Sequence, residues 1–202
     1  MADVWGAIAA EAQALAPLEA IAVAAAIAYL VLAIRQSIWC WLGAGISTAI
    51  YVYLFFDAKL YMESALNGFY FAMAIYGWFV WYSGRSDGDE LPVSVWRRYV
   101  HVIAITTIVA ASLVSGYLLS RFSDAAYPYV DSMTTWAAIW ATFLVARKVL
   151  ENWWYWLVID TASIAIYWSR DLQLTALLFA AYVAMIPFGL VAWQRSWREQ
   201  GA

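Results

Sequence analysis

Seven long apolar runs dominate this sequence and restrict what it can fold into. Each run is about 17–23 residues long, close to the 20 or so that an α-helix needs to cross a bilayer. The runs lie near 17–34, 37–56, 63–82, 99–119, 130–147, 151–169 and 172–194. Only 12% of the residues are charged, against about 25% in a soluble domain. We therefore predict an all-α membrane protein with seven transmembrane helices, numbered 1–7 in chain order.

Basic residues are unevenly distributed between the two sides of the predicted bundle, which predicts its orientation. If the N-terminus lies outside, eight basic residues fall on the cytoplasmic side and three on the other. The cytoplasmic set is Arg35, Arg85, Arg97, Arg98, Arg147, Lys148, Arg195 and Arg198, and the opposite set is Lys59, Arg121 and Arg170. The sequence therefore predicts an external N-terminus and a cytoplasmic C-terminus.

An internal repeat relates helices 1–3 to helices 5–7. Residues 36–41 align with 151–156 at an offset of 115, which pairs Trp41 with Trp156. After a three-residue length change in the next loop, the matched pairs are Leu60 with Leu172, Tyr70 with Tyr182, Gly77 with Gly189 and Trp81 with Trp193. Four spans separate corresponding helices, so the halves are parallel, as in certain transporters that hold substrate between repeats. This predicts a three-helix bundle at 1–82, a linker at 83–129 that includes helix 4, and a second bundle at 130–202.

Helix 6 carries a carboxylate inside the membrane. Asp160 lies well within the span, where a charged Asp costs about 2.5–3.5 kcal/mol. Trp153, Trp156, Ser163 and Tyr167 recur around it at steps of three or four residues and so share its face. Flat rings beside a negative charge suit a flat, positively charged small molecule. The alternatives are that the tryptophans belong to the membrane interface and that Asp160 bonds a neighbouring helix.

Helices 2 and 3 offer groups for an opposing wall. Asn67 lies about one turn into the membrane, and its amide both donates and accepts hydrogen bonds, although Asn also bridges membrane helices. Tyr70 follows it on helix 3, and Trp41 stands in the first half where Trp156 stands in the second. We expect these three side chains to face helix 6.

Several classes of protein are excluded or disfavoured. A retinal protein needs a lysine in its last helix, and residues 172–194 contain none. No metal-ligand cluster, phosphate loop or nucleophile with a nearby base is present, so we predict no enzyme and no cofactor. A net charge of −3 with one histidine gives no support for nucleic-acid binding, and the single Cys40 in an apolar run is expected to be a buried thiol. A structural or assembly protein of the membrane remains as the alternative class.

Several separated motifs resemble those of the Pnu family of bacterial vitamin transporters. They are Ile38-Trp39-Cys40-Trp41, Phe55-Phe56-Asp57-Ala58-Lys59-Leu60-Tyr61, Ile75-Tyr76-Gly77-Trp78 and Arg147-Lys148-Val149-Leu150-Glu151-Asn152-Trp153. The resemblance implies a SWEET-like 3+1+3 arrangement, in which helix 4 links two parallel three-helix bundles. It also implies a homotrimer in the bacterial inner membrane. Uptake would be facilitated diffusion without ATP or a coupling ion, and a cytoplasmic kinase would trap the vitamin by phosphorylation.

The family divides by substrate into nicotinamide riboside, thiamine and riboflavin transporters. Members similar to the nicotinamide riboside branch tend to have Ser-Asn-Tyr where this chain has Ile38-Trp39-Cys40, and Asn in place of Asp160. The chain therefore looks closer to the thiamine-type branch, with nicotinamide riboside second. Neutral riboflavin ranks third, because it would leave the carboxylate unpaired or force it to stay protonated. The carried-over substrate site comprises Trp41, Asn67, Tyr70, Trp153, Trp156, Asp160 and Tyr167.

Overall fold

A computed structural model describes residues 17–57, 61–84, 91–123, 127–169 and 173–200. Within these ranges the chain forms seven α-helices: α1 (Pro17–Ile34), α2 (Cys40–Asp57), α3 (Tyr61–Ser83), α4 (Arg98–Phe122), α5 (Pro128–Ala146), α6 (Asn152–Ser169) and α7 (Gln173–Gln200). The helices coincide with the seven predicted runs, although α7 continues to Gln200 beyond its predicted end at 194. Several residues used above lie outside the described ranges, namely Lys59, Leu60, Arg85, Arg170 and Leu172.

Four of the seven described helices are long and apolar enough, by length and composition, to cross a membrane. They are α1, α2, α4 and α7. The other three, α3, α5 and α6, carry polar side chains in their interiors, among them Asn67, Thr142 and Asp160. Polar side chains within membrane helices usually face the interior of the bundle rather than lipid. We therefore expect α3, α5 and α6 to supply the polar groups of the interior.

Six of the helices form a closed cycle of neighbours. Helix α1 packs on α2, α2 on α3, α3 on α5, α5 on α6, α6 on α7, and α7 on α1. Helix α4 packs mainly on α5 and reaches α6 through His101, whose Nδ1 lies 3.1 Å from the Tyr155 hydroxyl oxygen. The cycle therefore brings α1, α2, α3, α5, α6 and α7 around a common centre and leaves α4 on its outside.

The bounds of α1–α3 recur in α5–α7 at one constant offset of 112 residues. Helices α1 and α5 end at 34 and 146, α2 and α6 run from 40 to 57 and from 152 to 169, and α3 and α7 begin at 61 and 173. The packing agrees, because α3 on α5 and α7 on α1 become equivalent contacts under this offset. The predicted offset of 115 for residues 36–41 is therefore wrong, and Trp41 corresponds to Trp153 rather than to Trp156. The error arose because residues 39–41 and 154–156 share the pattern Trp-x-Trp, although they lie three residues out of register in the repeat.

The turns after α1 and α5 have the same geometry. Gln36 and Lys148, which are 112 residues apart, both adopt positive φ, 57° and 48°. The next amide closes the helix end in each case: Ser37 N–H donates to Leu32 O and Val149 N–H to Leu144 O, both at 2.9 Å. These are Schellman motifs, in which the left-handed residue lets the chain satisfy the last helical carbonyl groups.

Four tryptophans form an aromatic cluster beside these turns. Trp41 meets Trp81 edge to face at 5.5 Å between ring centroids, and the equivalent pair Trp153 and Trp193 repeats that geometry at 5.5 Å. Trp81 and Trp193 join the two pairs at 6.3 Å. We call these four residues the tryptophan cluster. Beside it lies Cys40, a free and fully buried thiol as predicted.

An extended segment, residues 91–97, runs along the α5–α6 turn and is called the strap. Ser94 N–H donates to Lys148 O at 2.9 Å, and Leu150 N–H donates to Ser94 O at 2.8 Å, which makes a short parallel bridge. Val93 is buried, and the Trp96 ring packs against α5. In the described part of the chain, the equivalent α1–α2 turn has no such pairing.

Candidate functional site

The carboxylate of Asp160 is buried in the protein interior. It is 4% exposed and lies on the inward face of α6 together with Asn152, Trp153, Ile159 and Ser163. Within the described part of the chain it has neither a hydrogen-bond partner nor an ion-pair partner. A buried charged group without a partner is strongly unfavourable, and inside a membrane such a residue is taken first as a functional one.

Tyrosines from five helices surround the same region. Tyr182 on α7 lies near Asp160 and near Tyr51 on α2. Tyr29 on α1 lies near Tyr70 on α3 and near Tyr182, and Tyr70 lies near Tyr167 on α6. We call this set the central tyrosines: Tyr29, Tyr51, Tyr70, Tyr167 and Tyr182.

The central tyrosines are not fully buried. The side chains of Tyr29, Tyr51, Tyr70, Tyr167 and Tyr182 all remain partly accessible, whereas Asp160 is buried. Five phenol groups and one carboxylate therefore lie in the same part of the helix cycle.

Two of the predicted residues, Tyr70 and Trp156, lie together. Both pack against the same small buried cluster of Ala138, Ala141 and Ile159, which joins α5 to α6. Trp156 and Asp160 are four residues apart on α6 and so share a face, and Tyr70 of α3 packs against the same cluster as Trp156. Tyr167 stacks on Phe179 of α7 at 5.3 Å between ring centroids.

The remaining predicted residues have other surroundings. Asn67 donates from Nδ2 to Glu63 O of its own helix at 2.9 Å and is partly exposed. Trp153 and Trp41 belong to the tryptophan cluster at one end of the bundle. The prediction that Trp41 stands in the first half where Trp156 stands in the second is wrong, because the common offset of 112 pairs Trp41 with Trp153.

The structure adds site residues that the sequence prediction missed. Tyr29, Tyr51 and Tyr182 did not stand out, because their convergence depends on how α1, α2 and α7 pack. One signal was available: Tyr182 is the repeat partner of Tyr70, which the prediction did include. The repeat also shows how the site departs from symmetry, since the residue equivalent to Asp160 is Thr48, whose hydroxyl donates to Ala44 O of its own helix at 2.7 Å.

A cycle of membrane helices around a buried carboxylate and a set of phenols is the arrangement expected of a membrane protein that binds a small molecule in its interior. Comparison with known proteins identifies its family. The family model described as "Nicotinamide mononucleotide transporter" matches residues 16–195. The chain belongs to this family of membrane transporters, and it is a multi-pass membrane protein rather than an enzyme.

The relatives agree on transport and differ in the vitamin they are named for. The chain is 26% identical over 182 residues to a protein of Escherichia coli (strain K12) named "Nicotinamide riboside transporter PnuC", which covers 78% of this chain and 76% of that protein. It is 23% identical over 171 residues to the "Riboflavin/roseoflavin transporter RibM" of Streptomyces davaonensis, covering 81% and 78%.

A solved structure, titled "Crystal structure of the Vitamin B3 transporter PnuC", shares the fold. Its TM-score is 0.71 at 21% sequence identity, and the match covers 90% of this chain and 82% of that one. The predicted membership of the Pnu family is thus confirmed, as is the prediction of a transporter for a vitamin-type small molecule.

Proposed function

We propose that this protein carries a cationic vitamin across the bacterial inner membrane, with nicotinamide riboside as the first candidate substrate and thiamine as the second. The observation that carries the proposal is the buried carboxylate of Asp160, which has no partner of its own among the described residues. A ligand with a fixed positive charge would supply that partner, and without it the carboxylate is an uncompensated cost in the membrane.

The groups around Asp160 suit a flat cation with hydroxyl substituents. An aromatic face such as that of Trp156 or Tyr70 attracts a cation by about 0.5–2 kcal/mol, and by more where water is excluded. The phenol groups of the central tyrosines both donate and accept hydrogen bonds, as ribose or hydroxyethyl groups require. A phosphorylated vitamin would bring a negative charge close to Asp160, so we propose the vitamin itself rather than its phosphate as the substrate.

The order of candidates differs from the one expected from sequence. The departures at Ile38-Trp39-Cys40 and Asp160 favour thiamine, whereas the relatives reported above are named for nicotinamide riboside and riboflavin. The pyridinium of nicotinamide riboside and the thiazolium of thiamine both satisfy the charge of Asp160. The names of the relatives support placing nicotinamide riboside before thiamine, and neutral riboflavin ranks third because it offers no countercharge.

The proposed mechanism is facilitated diffusion between two parallel halves. In this scheme α1–α3 and α5–α7 act as the bundles of a SWEET-like 3+1+3 arrangement, α4 links them, and the substrate binds near the midplane between the repeats. The N-terminus lies outside, the C-terminus is cytoplasmic, and three copies form a homotrimer. A cytoplasmic kinase makes uptake one-way by phosphorylating the vitamin, without needing to contact the transporter.

A fluorescence titration of the purified protein tests the substrate. Fourteen tryptophans, one of them beside Asp160, allow quenching to report binding, with correction for ligand absorption. We expect saturable quenching by micromolar nicotinamide riboside or thiamine, and weaker binding of neutral nicotinamide and of nicotinamide mononucleotide. A response to riboflavin alone would contradict the role of Asp160 as a countercharge, and no response to any of these vitamins would contradict the proposed substrates.

A further inference from the structure

Equivalent residues of the two halves touch each other at one end of the bundle. Trp81 contacts its repeat partner Trp193, and the Nζ of Lys148 lies 3.4 Å from the Oε1 of its partner Gln36. When a residue contacts its own equivalent, the pseudo-twofold axis relating the halves passes between them. Both pairs lie on that axis, at the end that holds the α1–α2 and α5–α6 turns.

Each half also satisfies a helix terminus of the other. The indole N–H of Trp81 donates to Ala146 O at the end of α5, at 3.2 Å, and that of Trp193 donates to Ala33 O near the end of α1, at 2.9 Å. The last carbonyl groups of a helix lack intrahelical partners, and a membrane interior offers no water to replace them. Ala33 O also accepts from the backbone N–H of Gln36 at 3.0 Å, so its bond from Trp193 is a second one. Both indole hydrogen bonds join one half to the other.

Lys148 makes the contact between the halves unequal. It is 1% exposed, and its Nζ lies 4.6 Å from the centroid of the Trp81 ring as well as beside Gln36. A desolvated ammonium group over an indole face is among the stronger cation–π contacts. Across the axis, the second half contributes the buried ammonium group of Lys148, whereas the equivalent residue of the first half, Gln36, contributes a neutral amide.

We propose that Lys148, Gln36, Trp81 and Trp193 form a latch that closes this end of the transporter and opens in each transport cycle. The proposal rests on the transport function proposed above, because a carrier with a central site must open each end in turn. Opening this end moves the two halves apart on either side of the axis. The Trp81–Trp193 and Lys148–Gln36 contacts, and the two indole hydrogen bonds between the halves, must then break. The strap pairs with the α5–α6 turn through Ser94, so the movement is expected mainly in the α1–α2 turn.

The single cysteine offers a reporter of the latch. Cys40 begins α2 at this end, is fully buried, and interacts electrostatically with Lys148. The rate at which N-ethylmaleimide modifies it in purified protein, followed by intact mass, measures how often the latch opens. We expect Lys148→Met and Trp81→Phe each to raise that rate at least tenfold, because the first removes the cation and the second the indole donor.

Two neighbouring substitutions serve as matched controls. Arg147→Met removes an exposed cation beside Lys148, and Trp78→Phe alters an indole that packs on Trp39 instead of on the axis, so both should retain the unsubstituted rate. Monodisperse gel filtration excludes unfolding in each variant. Unchanged Cys40 reactivity in both Lys148→Met and Trp81→Phe would overturn the latch.

Cross-linking tests whether opening belongs to the transport cycle. In a Cys40→Ala background, oxidation of the Gln36→Cys/Lys148→Cys pair should lower vesicle uptake at least tenfold, and reductant should restore it. Full uptake by the oxidised protein would contradict the proposal. Failure of the proposed function is distinguishable, because it would appear as no uptake or binding by the unsubstituted protein while the Cys40 rates still report on the latch.

Discussion

At the scale of single residues, helix packing does not account for the carboxylate of Asp160. The equivalent place in the first half holds Thr48, which bonds its own helix and shows that packing does not require a carboxylate there. A carboxylate with a structural role would form a hydrogen bond or an ion pair with a neighbouring helix, and Asp160 forms neither with the described residues. The unbonded carboxyl group therefore supports the proposal that Asp160 binds a ligand rather than a neighbouring helix.

Replacing the carboxylate by its amide separates these two roles. Asp160→Asn should weaken binding of nicotinamide riboside or thiamine by more than tenfold, which is about 1.4 kcal/mol. The same variant should retain or raise the melting temperature, because it removes an unpaired buried charge, and it should leave the proposed trimer intact. Fluorescence titration and thermal melts provide the measurements.

Asp57→Asn, at the exposed end of α2, is the matched control and should leave affinity unchanged. If Asp160→Asn binds as tightly as the unsubstituted protein, Asp160 does not belong to the site. If it instead loses stability, the carboxylate has a structural role.

Trp156 is the indole expected to report the ligand. It packs beside Tyr70 against Ile159, next to Asp160, whereas its neighbour Trp154 is 55% exposed on the outer face of α6. Trp156→Phe should remove at least half of the ligand-dependent quenching, and Trp154→Phe should remove little of it. Quenching amplitudes at saturating ligand measure this, and the reverse pattern would place the ligand outside the helix cycle.

At the scale of helices, two glycines make the equivalent contacts of the repeat possible. A Cβ atom added at Gly77 would overlap the Trp41 ring, and one at Gly189 would overlap the Trp153 ring. The rings are rigid and buried in the tryptophan cluster, so neither can move aside as the end of a flexible chain would. Helices α3 and α7 therefore approach α2 and α6 closely only because they carry glycine at these points.

Alanine at these glycines should destabilise the bundle. Gly77→Ala and Gly189→Ala are each expected to lower the free energy of unfolding by about 1–3 kcal/mol, the usual cost of overfilling a packed core. Gly68→Ala on α3 is the control, because no atom lies within 4 Å of its added methyl group, and alanine is the better helix former. Thermal melts followed by circular dichroism measure all three, and equal melting temperatures would show that the rings adjust.

The sequence predicted the helices well because runs of apolar residues of bilayer length have few other solutions. It placed the repeat correctly at residues 70, 77 and 81 and wrongly at the first turn, where similar Trp-x-Trp patterns lie three residues out of step. The equivalence of Gln36 and Lys148 could not be read from their side chains, which differ in charge. Their shared positive φ is a property of the backbone and becomes visible only in the structure.

At the scale of the whole molecule, the site depends on contacts between distant parts of the chain. The periodicity of α6 was sufficient to predict Asp160 and Trp156. Tyr29 and Tyr51 reach the same region from α1 and α2, and no local pattern distinguishes them from tyrosines that face lipid. The closed cycle of helices, in which α7 returns to α1, is what brings these residues together, and it is set by tertiary packing rather than by sequence spacing.

The complete transporter is expected to move its substrate without a coupling ion. Under the proposed function, Asp160 pairs with the positive charge of the substrate itself. In vesicles, uptake of nicotinamide riboside or thiamine should continue when proton and sodium gradients are dissipated and should stop at equal concentrations when the membrane potential is zero. Loss of uptake on dissipating either gradient would indicate a coupled carrier.

The membrane potential should nevertheless act on the cation itself. Moving one charge through 100 mV is worth about 2.3 kcal/mol, so an inside-negative potential of about 60 mV should raise the final inside-to-outside ratio about tenfold. Potassium gradients with valinomycin set the potential, and radiolabelled vitamin measures the ratio. If the inside-to-outside ratio does not change with the potential, no net charge crosses the membrane during transport. This happens if one proton leaves for each cation that enters. Asp160 would then carry that proton, and the protein would be an exchanger rather than a uniporter.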